Sequence, residues 1–129
     1  MGYDITIHAE KRVGTGFVEV PLDDYWYETY AFYGFLGGVR TWRDEPTPFG
    51  FRGLPDDTSE VAKESINEHC CATSWVGVNE LLSFDYQQKF TDLDTSETLT
   101  VAEHLDPSFF DAVDRLVASG ADRLVYGFA

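Results

Sequence analysis

Basic residues are scarce in this chain. Nine lysines and arginines stand against 23 aspartates and glutamates in 129 residues, a formal net charge of −14. Nucleic-acid backbones and anionic lipid repel a surface of that sign, which speaks against direct nucleic-acid binding and against attachment to a membrane surface. Long apolar runs are missing too. No stretch approaches the roughly 18 apolar residues of a spanning helix, so no membrane span is expected. Cysteine is almost absent: Cys70 and Cys71 are adjacent, and disulfide geometry resists so short a loop. Free thiols fit a reducing compartment, and the chain reads as cytoplasmic. Met1-Gly2-Tyr3-Asp4 lacks the basic and apolar regions of a secretory signal. Gly2 and Thr6 satisfy the permissive myristoylation pattern, but strand alternation accounts for Thr6 more simply. There are no internal repeats and no low-complexity tracts.

Aromatics are plentiful. Ten phenylalanines, seven tyrosines and three tryptophans sit in a chain that is 43% hydrophobic. Disordered acidic chains are poor in aromatics, so this composition predicts a folded core. The length predicts one domain over residues 1–129.

Hydrophobic periodicity outlines an α+β fold. Tyr3, Ile5, Ile7 and Ala9 alternate with Asp4, Thr6, His8 and Glu10, which predicts a half-buried strand. Gly14-Thr15-Gly16 marks a turn, and Phe17, Val18 and Val20 complete a hairpin that Pro21 ends. Asp23 or Asp24 caps a helix reaching about Leu36, with aromatics on most of its circumference, and Gly37-Gly38 stops it. If that helix is not fully buried, it offers a homodimer surface. Thr41 to Leu54 reads as a loop. A second helix follows Asp57, which stands in capping-box spacing with Glu60, and ends near Cys70. Ser74 to Gly77 is extended. A third helix runs from Val78 to about Gln87 with Val78, Leu81, Leu82 and Tyr86 or Phe84 inward, and Lys89 to Ser96 is a polar loop. Asp106 and Pro107 open the last helix, Phe109, Phe110, Val113, Leu116 and Val117 form its apolar face, and Gly120 ends it. Arg123 to Phe128 is a strand. The expected architecture is a small antiparallel or mixed sheet that includes both terminal strands, packed by about four helices.

No catalytic residue, metal site or cofactor is expected. His8, His69 and His104 lack ligand spacing, and His69, Cys70 and Cys71 on one helix point about 100° apart. Catalytic pairs need convergent geometry that their adjacency does not supply. Asp56 and Asp57 are explained by the positive end of a helix dipole. Two clusters remain. From Asp92 to Asp114 the chain places Asp92, Asp94, Glu97, Glu103, Asp106, Asp111 and Asp114 with no lysine or arginine between them. A solvated face accounts for such a run, but carboxylates in a row can also stand in for phosphates before a basic groove. The second cluster is Arg40, Trp42, Arg43 and Arg52, interleaved with Phe49 and Phe51. With His69 and Trp75 it could hold a nucleotide-like ligand, as binder or hydrolase, or it could staple a long loop to the core through Asp44 or Asp56.

Arg52-Gly53-Leu54-Pro55-Asp56-Asp57-x-Ser59, followed by Ser74-Trp75-Val76 and Glu80-Leu81-Leu82-x-Phe84-Asp85-Tyr86, resembles a group of small uncharacterised proteins carried by bacteriophages and prophages. Met1-Gly2-Tyr3-Asp4, Phe35-Leu36-Gly37-Gly38-Val39-Arg40 and Arg123-Leu124-Val125-Tyr126-Gly127-Phe128 fit the same outline, so the resemblance covers most of the chain as scattered motifs. Members of that group often carry histidines just before the Ser-Trp pair, where this chain has Cys71 and Thr73. The resemblance implies a phage accessory protein inside a bacterial host cell and brings no assigned activity. Together with the charge it leads to the expectation of a non-enzymatic inhibitor, of an anti-defence or anti-CRISPR kind, whose partner is a host protein with a basic surface.

Overall fold

A computed structural model of the chain describes residues 5–22, 25–28, 30–37, 48–49, 51–69, 72–92 and 95–129, with backbone only at 27–28, 30–33 and 68–69. Its elements are β1 (Ile5–Val13), β2 (Gly16–Val20), α1 (Tyr25–Glu28), α2 (Tyr30–Gly37), α3 (Glu60–His69), β3 (Ala72–Gly77), α4 (Val78–Ser83), β4 (Lys89–Thr91), β5 (Thr98–Thr100), α5 (Val101–Ala118) and β6 (Arg123–Phe128). The fold is compact α+β. Four strands form an antiparallel sheet in the order β2-β1-β6-β3, and β4 and β5 pair as a separate hairpin. Both terminal strands lie side by side in the main sheet.

Strand β6 is central, and all of its residues are buried. Its even-numbered side chains, Leu124, Tyr126 and Phe128, sit opposite Ala9, Ile7 and Ile5 of β1. This face packs against α1, α2, α4 and α5 through Trp26, Phe35, Leu36, Leu81, Phe109, Val113 and Leu116. Phe35 is the hub, with Phe49, Phe84, Tyr86 and Phe109 all within 6 Å of its ring centre, three of them edge to face. Trp26 and Phe35 are therefore buried inside the molecule, while the side chains of Tyr27, Tyr30, Phe32 and Tyr33 lie outside the described residues. Helix α2 approaches β6 so closely that a β-carbon at Gly37 would overlap the Phe128 ring. Burial pushes the Tyr126 hydroxyl up to about 12, and the hydroxyl donates to the Leu36 carbonyl at 2.8 Å.

The opposite face of the sheet is covered as well. Ala62 and Ile66 of α3 pack there on Val125, with Leu54 and Trp75 beside them. The half-buried strand expected at residues 3–10 is thus buried on both faces where α3 crosses it, and Glu10 is wholly inside. Its Oε1 accepts from Arg123 Nε–H at 2.9 Å, and its Oε2 accepts from the Ser59 N–H at 2.8 Å. Arg123 Nη2 lies 2.8 Å from the same Oε1 as an ion-pair contact but makes no hydrogen bond among the described residues. Nη1 reaches Asp57 at 2.9 Å, and the guanidinium carbon stands 3.5 Å over the Phe17 ring.

Several local expectations are corrected. Asp57 does not form the capping box with Glu60, because Arg123 takes its carboxylate. Ser59 caps α3 instead, its Oγ accepting from the Ala62 N–H at 3.4 Å. Helix α4 stops at Ser83, since Phe84 is extended with ψ 143, and Leu82 is exposed. Lys89 to Thr91 is a strand because Thr98 to Thr100 pairs with it. The first expected helix is present as α1 and α2 on either side of residue 29. Met1 to Asp4, Cys70 and Cys71 lie outside the described residues.

Candidate functional site

The acidic stretch folds around a kink in α5. Its first turn is anchored by backbone bonds to the chain before β4, from Val101 N–H to Gln88 and from Ala102 N–H to Tyr86, both 2.9 Å. Thr100 and Glu103 form a reciprocal capping box. Thr100 Oγ1 accepts from the Glu103 N–H at 3.1 Å, and Glu103 Oε1 accepts from the Thr100 N–H at 3.0 Å. The Thr100 N–H first, and then the Thr100 hydroxyl, which donates to Glu103 Oε1 at 3.1 Å, hold the Glu103 carboxyl below its usual range. The helix then breaks at Asp106, which has φ 62 and ψ 165. Pro107 is the cause, since it has no N–H and its ring excludes the carbonyl four residues back. Asp106 Oδ1 restarts the helix by accepting from the Ser108 N–H at 2.7 Å, as expected of a cap. The Tyr25 hydroxyl donates to the Leu105 carbonyl at the break at 3.1 Å.

The kink opens a shallow depression of about 490 Å³ lined by Ala102, Glu103, Pro107, Phe110 and Asp111. Its lining is mainly apolar, and two exposed acidic residues, Glu103 and Asp111, belong to it. Phe110 is held there edge to face against Tyr86 and Phe109, both with ring centres at 5.1 Å. Phe110 was expected on the buried face, yet it is only half-buried, and Val117 is 45% exposed. The two are seven residues apart and so lie on the same flank of the helix, away from Phe109, Val113 and Leu116.

Of the seven acids expected to act together, Glu97, Glu103, Asp106, Asp111 and Asp114 are exposed. Asp92 is not part of that surface. It is 4% exposed, and its backbone closes the β4–β5 turn through Glu97 and Ser96. Asp94 lies outside the described residues. The fold also brings the Lys89 charge of β4 near enough to Glu103 to favour its ionised form slightly, a proximity invisible in the linear run.

The second cluster is represented by Arg52 and Trp75. Arg40, Trp42 and Arg43 lie outside the described residues, as does the His69 side chain. The Arg52 fork is already filled: Nη1 and Nη2 donate to the two Glu80 oxygens at 2.7 Å each. Its guanidinium also stacks over Trp75 at 4.9 Å and Phe49 at 5.4 Å. The hydrogen bonds to Arg52 hold the Glu80 carboxyl below its usual range, and those to Glu80 raise Arg52. Glu80 Oε1 also accepts from the Gly77 N–H at 3.0 Å, which caps α4. Arg52 thus staples its segment to α4 through Glu80; Asp44, one of the two acids expected to anchor this loop, lies outside the described residues. Among the described residues, no group of three or more histidines, cysteines or carboxylates could hold a metal ion, and no helix is long and apolar enough to cross a membrane. Comparison with protein-family models, curated proteins and solved structures finds no match.

Proposed function

We propose that the protein is a non-enzymatic binder that occupies a basic surface of a host nucleic-acid-binding protein, acting in the bacterial cell as a phage accessory of the anti-defence type. The observation that carries this reading is the exposure of Glu97, Glu103, Asp106, Asp111 and Asp114 around the α5 kink in a chain of net charge −14. Carboxylates so placed take the positions of phosphates and steer a basic partner into contact. The phage resemblance supports the setting. The Arg52–Trp75 pair does not support a nucleotide-like ligand, because the guanidinium donors that would hold a phosphate already serve Glu80.

The test compares wild type with the triple variant Asp106→Asn, Asp111→Asn, Asp114→Asn. Asparagine keeps the shape and still caps at position 106. Wild-type protein should capture a basic host protein from lysate, and the purified pair should associate more slowly as salt rises. The triple variant should fold normally and lose affinity mainly through its association rate. Binding indifferent to both salt and the triple change rejects charge mimicry.

A further inference from the structure

The depression at the α5 kink is more specific than a charged surface, and the geometry points to a docking site for a basic segment that presents an arginine beside a leucine-sized apolar side chain. Ala102, Pro107 and Phe110 line the depression with apolar surface, and the exposed residues Glu103 and Asp111 complete its lining. The depression is open, with a volume of about 490 Å³, so a segment lies across it. The helix ridge continues through Pro107, Phe110, Asp114 and Val117 at spacings of three and four residues, so that an exposed carboxylate stands between the apolar Phe110 and Val117.

Charge complementarity selects the occupant. An acidic or anionic ligand meets two carboxylates there. A second copy of this chain brings its own charge of −14, so self-docking is opposed. An arginine satisfies both parts of the site: its planar fork matches a carboxylate, and its face stacks on the exposed side of Phe110. The capping box fixes Glu103 in place, so little ordering remains for the partner to impose.

This inference rests on the reading that the acidic face meets a basic partner, and two labelled peptides of equal length and charge separate the two ideas. One alternates arginine with leucine and the other arginine with glycine. The arginine–leucine peptide should bind wild type about tenfold tighter, the gain expected from burying apolar side chains. Ala102→Phe fills the depression and should abolish that preference while leaving the arginine–glycine peptide bound as before. In wild-type protein, independently of how the variant folds, the arginine–leucine peptide should shift the amide resonances of Ala102, Glu103, Phe110 and Asp111. Equal affinity of the two peptides for wild type, or a preference whose resonance shifts fall elsewhere, overturns the docking site and leaves the acidic-binder reading standing. Failure of the arginine–glycine peptide to bind at low salt overturns both.

Discussion

Glu10 and Arg123 are the residues at which charge enters the core. Glu10 is fully buried and Arg123 is 7% exposed. The carboxylate is satisfied by Arg123 and by the amide at the head of α3, so one pair ties β1, β6 and α3 together. Removing one member of a buried pair leaves the other uncompensated. Arg123→Ala should therefore cost about 3–5 kcal/mol in urea unfolding. Asp57, the outer partner of Arg123, has a half-exposed side chain, and Asp57→Ala should cost at most about 1 kcal/mol. The Arg52–Glu80 pair makes a prediction in pH. Arg52 depresses the Glu80 carboxyl in the folded state. The unfolded chain therefore binds the proton first on acidification, and the stability contributed by the pair is lost as pH falls below the ordinary glutamate value of about 4.3. The urea midpoints of wild type and Glu80→Gln should converge between about pH 6 and pH 3. A gap that widens on acidification contradicts the assignment.

At the scale of elements, the kink divides α5 into two separately capped helices. Asp106 takes a conformation rare for residues with a side chain, with φ 62 and ψ 165, which costs on the order of 1–3 kcal/mol. Asp106→Gly relieves that strain and gives up little as a cap, so it should stabilise the protein by up to about 1 kcal/mol. Asp106→Ala keeps the strain, loses the bond to Ser108 and should destabilise by about 1 kcal/mol. Thermal melts of the two variants on opposite sides of wild type are the expected result. The cap itself was legible in the sequence, since Asp106-Pro107 is a local signal, and so were Gly120 and the alternating strand of Ile5, Ile7 and Ala9. The elements that were not legible depend on distant partners. Lys89 to Thr91 is too short for any periodicity and becomes a strand only opposite Thr98 to Thr100. Asp57 matches a local capping pattern, but a guanidinium 66 residues away claims it. Thr6, His8 and Glu10 alternate like a solvent face, and nothing local announces that α3 will cover them. The acidity of the candidate site was plain in the run from Asp92 to Asp114. Its apolar lining was not, because Phe110 and Val117 also fit the margin of a buried helix face.

At the scale of the whole molecule, the central position of β6 makes the end of the chain indispensable. Deleting Arg123 to Ala129 removes the strand that pairs with both β1 and β3, together with Leu124, Tyr126 and Phe128 from the core, and should abolish cooperative unfolding. A truncated protein that melts like wild type contradicts this topology. The net charge of −14 then sets two salt responses of opposite sign. Exposed carboxylates repel one another and load the folded state, while the buried Glu10–Arg123 pair is sheltered from ions. Salt screens the exposed charges within about 8–10 Å at physiological ionic strength. Raising sodium chloride from about 0.05 to 0.5 M should therefore raise the melting temperature while it weakens binding to a basic partner. The triple variant at positions 106, 111 and 114 removes three of the 23 acids. Its melting temperature should rise less steeply with salt than that of wild type, and its partner binding should fall less steeply too. Parallel loss of stability and binding with salt would mean that ion pairs, not repulsion, dominate the surface, and the acidic face would then be structural.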